Sequence, residues 1–229
     1  MSGAIILIFM SIMKLNTTLY TEYETGLPQA GKHILAQTRG ENLIVYQAFN
    51  PNIARFAVEH QRFGGSHYKF TRMSWIKPNF LWMMYRAGWA VKEHQQQILA
   101  IEIKQAHFKE ILAQAVHSTY KEHIYGSHEA WKAALARSEV RLQWDPDHNP
   151  FGDKLDRRAV QLGLRGEILR QFATDWIVSI EDITPFVHEQ KALLDARNWD
   201  EFKVIDEAVW TVNETEIIDN LGLDSFPIA

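Results

Sequence analysis

The residues with most chemical capacity in this chain crowd into one segment, 71–89, TRMSWIKPNFLWMMYRAGW. It sets Trp75, Trp82 and Trp89, three of the eight tryptophans, beside Arg72, Lys77 and Arg86. A segment that only fills a core seldom carries so much charge among so many aromatics. The composition therefore reads as one wall of a ligand site, with π faces to stack a ring and cations to hold an anion. Lys77-Pro78 marks a boundary inside it, because the residue before a proline is driven out of the helical region and proline suits the first turn of a helix. An extended run over 71–76 and a helix over 78–87 follow from this. Free amides at such a helix start attract anions, and Lys77 and Arg72 add charge there. The competing reading is a buried aromatic helix whose arginines reach solvent.

Those side chains need elements to position them. Residues 43–49, LIVYQAF, form a β-branched and aromatic run typical of a buried strand. Asn50 and Pro51 then supply a cap and a first helical position, and Ile53, Phe56, Ala57, His60 and Phe63 recur at helical spacing until Gly64-Gly65. Residues 98–103, ILAIEI, alternate as a strand does, and Phe108, Ile111, Leu112, Ala115 and Val116 make an amphipathic helical stripe. A helix around 131–136 precedes a strand over 140–144. Asp145-Pro146-Asp147 reads as a turn and 149–153 as a loop. Further strands are expected over 159–164, 176–183 and 209–212. Thr184-Pro185 opens another helix, and a short one over 216–221 closes at Gly222. Several links are too short for parallel crossovers, so the expected class is α+β, with a mixed, mainly antiparallel sheet core and flanking helices.

With 229 residues, 46% hydrophobic and 12% aromatic, the chain has enough apolar material for one domain over 14–229. The formal net charge is −4. Residues 200–229 hold eight acidic side chains against Lys203, and the body before them is mildly basic, too weak a contrast to mark a nucleic-acid surface. The absence of cysteine excludes disulfides, thiol catalysis and thiolate metal sites, and suits a reducing cytoplasm. Residues 4–13, AIILIFMSIM, are apolar but about half the length of a membrane span, and no basic residue precedes them as in a signal peptide. A misassigned start, with residues 1–13 as an extension, is the favoured reading. Histidines such as His60, His67 and His94 lack metal-ligand spacing, and a turn explains Asp145, Asp147 and Asp153 more simply than a hard cation, so no metal is expected.

The blocks VYQAFNPNIARFAVEHQRF, RMSWIKPNFLWMMYRAGW, ILAIEI, VRLQWDP, AVQLGLRGE and DWIVSIEDIT, in this order, resemble those of the domain-of-unknown-function 4291 family. That resemblance brings a grouping and no activity. More distantly, the order of elements resembles the ADP-ribosyltransferase fold, which implies NAD as substrate and transfer to a nucleic-acid or protein acceptor. LIVYQAF then corresponds to the first strand, the tryptophan-rich segment to the second strand and its helix, and AVQLGLRGE to the strand of the catalytic acid. Where that fold usually has Arg or His, this chain has Tyr46 and Gln47; where it has an acid, this chain has Gln161, with Glu167 at the strand exit. The resemblance implies Gln161 or Glu167 at the reacting end, and Tyr46, Gln47, Arg72, Ser74, Trp75, Lys77 and Arg86 around the cofactor. Strand alternation already forbids all seven from facing one way.

Three functional readings follow: an NAD-using transferase of this type, a non-catalytic nucleotide- or nucleic-acid-binding module in which a tryptophan stacks a base, and an interaction domain whose aromatics are all core.

Overall fold

The computed structural model describes residues 15–226, so the apolar stretch 4–13 lies outside the described residues. Its framework is two main sheets. One runs Ile177–Asp182, Gln97–Lys104, Asn42–Phe49, Thr38–Arg39, antiparallel throughout. The other centres on the long Lys154–Leu164 strand, which pairs antiparallel with Val140–His148 on one edge and with Ser74–Ile76 on the other. Among the described residues parallel pairing is confined to Gly31–Lys32 against Lys154–Leu164 and Ala115–His117 against Val140–His148. The architecture is thus mixed α+β and mainly antiparallel.

Alternation along Asn42–Phe49 sends side chains into two cores. Leu43 and Val45 join Leu99, Ile101 and Ile103 in packing toward Leu142, Val160 and Leu162 of the other sheet, with Phe108, Ile111 and Phe172 from flanking helices. Ile44 and Tyr46 face the opposite way, against Phe80, Met84, Val187 and Phe202. Strands buried on both faces explain why 43–49 and 98–103 read as nearly continuous apolar runs.

Several elements depart from the sequence expectation for visible reasons. The helix after Asn50 spans Pro51–His60 and stops short of Gly64-Gly65. Gln61 takes the left-handed conformation, φ 53°, and its amide clamps the neighbouring strand by exchanging bonds with the Ile180 backbone at 3.0 and 2.8 Å. The stripe beginning at Phe108 belongs to Gln105–Ala113, and Ala115 and Val116 leave it for a strand. Spacing did not separate these, because Ala115 is buried in either form. Asp145-Pro146-Asp147 is no turn: the Val140–His148 strand runs through it, and the chain reverses at 149–153, where Asn149 Oδ1 accepts the Phe151 and Asp153 amides, both at 3.0 Å. Gly166–Thr174 is a helix that local reading missed, although Ile168, Leu169, Phe172 and Ala173 are buried at helical spacing. Its start is capped from afar, the Ile168 amide donating to Glu139 Oε2 at 2.9 Å. Among the described residues no helix is long and apolar enough to cross a membrane.

Candidate functional site

Beyond their shared core, a main-chain bridge joins the two sheets. Tyr46 N–H donates to Lys77 O at 2.7 Å and Lys77 N–H donates to Tyr46 O at 3.2 Å, an antiparallel bridge between Asn42–Phe49 and the end of Ser74–Ile76. Beside this junction lies a cavity of about 690 Å3, within the range of small-molecule and cofactor sites. One wall is the strand end and helix start, Gln47 to Asn50 with Ile53. Arg72, Met73, Ser74, Trp75 and Lys77 form a second, Met83 and Arg86 a third, and Gln143 with Gln161 the floor.

Trp75 and Lys77 project from one face of their strand, two residues apart. Trp75 lies opposite Gly163 in the register, and Gln161 opposite Gln143. A Cβ on Gly163 would sit 2.6 Å from Met73 Sδ and 3.0 Å from the Trp75 ring, so the bare glycine is what lets the indole lie against the sheet. Gly163→Ala is expected to push Trp75 and Met73 into the cavity and to cost about 1–3 kcal/mol by overpacking, measurable as a lower urea midpoint.

The polar groups are arranged with little freedom. Gln47 is buried, and its Nε2 donates to Ser74 Oγ at 2.7 Å and to Trp75 O at 3.1 Å. Its Oε1 is also buried and has no partner, a cost a ligand donor would remove. Gln143 Nε2 and Gln161 Nε2 both donate to Asp145, at 2.9 and 2.7 Å, so the two floor amides bracket one carboxylate. Arg72 and Arg86 are exposed on the wall. Among the described residues neither they nor Lys77 forms an ion pair.

Lys77 is only 5% exposed. Its Nζ donates to Trp75 O at 3.4 Å and stands 6.0 Å from the centre of the Trp82 ring. Burial, then the nearby Arg86 guanidinium, push this ammonium from 10.5 down to about 7, against a smaller opposing pull from Asp145. Near neutral pH the amine is therefore divided between charged and neutral forms.

The start of the Phe80–Ala87 helix does not serve as an anion site. Asn79 is its cap, accepting from Trp82 N at 2.6 Å, so Pro78 precedes the cap instead of opening the helix. The Phe80 amide donates to Glu207 Oε1 at 2.7 Å, and Tyr23 Oη donates to Glu207 Oε2 at 3.0 Å. Burial pushes the Glu207 carboxyl well above the usual carboxylate range. Two of the amides that the sequence offered to a phosphate are thus taken by the protein's own groups, which leaves Arg72, Lys77 and Arg86 as the cationic groups that this segment places on the wall. Among the described residues no group of three or more His, Asp or Glu is placed to hold a metal.

The family described as "Domain of unknown function (DUF4291)" matches residues 33–210. The chain belongs to that family. No curated protein matches it. The DUF4291 region contains the whole cavity wall and reaches Glu207, so the site lies within the part of the chain that the family shares.

Within this DUF4291 domain the structure brings together Gln47, Arg72, Ser74, Trp75, Lys77, Arg86 and Gln161 of the residues the sequence singled out. Tyr46 is not among them. It is fully buried on the opposite face of its strand, edge-on to Phe80 with ring centres 5.8 Å apart, as alternation beside Gln47 requires. Glu167 is also absent: it is exposed in the first turn of Gly166–Thr174, beyond the end of the floor strand. Sequence reasoning missed Gln143, His94 and, behind the wall, Asp145. The signal for two of them was available, since Arg141, Gln143 and Asp145 alternate along VRLQWDP and mark a polar strand face.

Proposed function

We propose that the cavity binds a nucleotide, that the nucleotide is NAD, and that the protein transfers its ADP-ribosyl group to a nucleic-acid or protein acceptor. The observation that carries this reading is a cavity lined by Lys69, Arg72, Lys77 and Arg86 and by no carboxylate among the described residues, Asp145 standing behind the floor with both glutamine amides on it, so the lining favours an anion. Trp75 offers a ring face for a base or nicotinamide, and Arg72 with Lys77 supplies charge for the pyrophosphate. At the reacting end Gln161 replaces the usual acid. Its amide donates to Asp145 at 2.7 Å, which leaves its oxygen to accept from a ribose hydroxyl and sets a carboxylate one hydrogen bond behind it. That arrangement stabilises an oxocarbenium-like state less than a carboxylate in direct contact does.

The test is the thermal midpoint with NAD, ADP-ribose, AMP and an RNA oligonucleotide, followed by incubation with labelled NAD and candidate acceptors. NAD is expected to raise the midpoint. Arg72→Ala is expected to weaken NAD binding about tenfold to a hundredfold, the worth of one charge-assisted hydrogen bond. Gln161→Ala should keep binding and lose turnover. NAD binding without transfer or glycohydrolysis would select the second reading, a non-catalytic nucleotide-binding module, which the missing wall carboxylate favours. Silence toward every nucleotide would overturn both.

A further inference from the structure

A buried amine facing a ligand-sized cavity without a counter-ion is arranged for bonding as a nucleophile, which goes beyond nucleotide binding. Three features set Lys77 apart. Its main chain is tied in both directions to Tyr46, which fixes where the side chain starts. Among the described residues no carboxylate lies within ion-pair distance of its Nζ, and its hydrogen bond to Trp75 O is long at 3.4 Å. The groups facing it are Trp82 and the Arg86 cation from the helix and Asp145 from the floor strand, already engaged by two glutamines, while His67, Lys69, Arg72 and His94 line the same cavity. A desolvated lysine beside a second cation is a recognised way to keep an amine neutral and reactive.

We propose that Lys77 forms a reversible Schiff base with an aldehyde carried on a phosphorylated molecule, the phosphate being held by Arg72 and Arg86. The Nζ lone pair attacks the carbonyl carbon and a C–N bond forms, while the carbonyl π pair moves to oxygen and takes up a proton. The nitrogen loses a proton, giving a neutral carbinolamine. The hydroxyl takes up a proton from solvent and leaves as water while the nitrogen lone pair closes the C=N bond, and the iminium returns its N–H proton to solvent, so one water is released per imine with no net proton consumed. No oxidant or reductant enters the step.

The amine is suited to this at neutral pH. With its ammonium near 7 against an ordinary 10.5, Lys77 presents about a thousandfold more neutral amine than an exposed lysine.

The experiment treats the full chain with pyridoxal 5′-phosphate, reduces the product with cyanoborohydride and maps it by peptide mass spectrometry. The expected result is one adduct per chain, on the peptide containing Lys77, with a pH midpoint near 7. Inorganic pyrophosphate should protect that peptide, and Arg72→Ala should raise the half-saturating concentration about tenfold. Pyridoxal, which has the aldehyde but no phosphate, should label at least about tenfold more weakly. Adducts spread over exposed lysines, or a Lys77 midpoint close to that of an exposed lysine, would overturn the proposal. The mapping uses the wild-type chain, so its answer does not depend on the folding of a Lys77 variant. NAD stabilisation with no Lys77 adduct sinks this inference and leaves the nucleotide reading standing; an adduct with no response to NAD does the reverse.

Discussion

Lys77→Met is expected to make the protein more stable near neutral pH, by on the order of 4 kcal/mol, while removing its capacity to capture an aldehyde. Methionine is of similar length and suits an apolar site beside Trp82. The sign follows from proton linkage. The folded-state value of Lys77, about 7, lies below the 10.5 of an unperturbed lysine, so between these values the unfolded chain holds more protons on this residue than the folded chain does. Stability contributed by this residue therefore rises with pH across that window, and the full penalty is present below it. Urea unfolding of both proteins should show the widest gap on the acidic side of neutrality and a narrowing gap as the pH climbs toward 10.5. A gap that stays constant with pH, or a variant less stable than wild type, would remove the claim that Lys77 is buried at a cost. A costly side chain retained on a cavity wall is the pattern expected of a functional group.

Asp147→Ala should have the opposite effect and a similar size, about 3–5 kcal/mol of lost stability, because it strands a buried guanidinium. Arg157 and Asp147 are each 1% exposed, and Arg157 Nε donates to Asp147 Oδ2 at 2.7 Å. The other arms of Arg157 reach Pro28 O at 2.9 Å and Glu24 Oε1 at 3.3 Å, so one guanidinium fastens residues 24–28 to the Lys154–Leu164 strand. Arg157→Lys replaces that fork with a point charge and should also be destabilising. The double variant Asp147→Leu/Arg157→Met should lose much less than the sum of Asp147→Leu and Arg157→Met alone, since no fully buried charge is then stranded and Glu24 keeps access to water. Additive losses in that cycle would show that packing around the pair, and not the pairing of charge, is what matters.

Residues with a local cause for their conformation were legible in the sequence. Asn50-Pro51, Thr184-Pro185 and Gly222 mark helix ends that the structure keeps, and the apolar runs 43–49 and 98–103 became adjacent strands. What escaped depends on partners distant in the chain. Asp145-Pro146-Asp147 carries turn chemistry, yet two glutamine amides and Arg157 hold it extended. The helix start at Asn79 looked open to a phosphate because nothing nearby announces Glu207. The wall was half legible for the same reason: Arg72, Trp75, Lys77 and Arg86 sit in one segment, whereas Gln143 arrives from a strand about sixty residues later, and only the register of the sheet brings it to the floor.

The rung between Tyr46 and Lys77 joins the two sheets beside the cavity. Its two main-chain bonds, with the Gln47 amide clasped across to Ser74 and Trp75, fix where the Lys77 side chain begins. Behind the rung the same sheets are packed together through Val45, Leu142, Val160 and Leu162. A ligand in the cavity therefore meets an amine whose starting point is set by the main chains of both sheets.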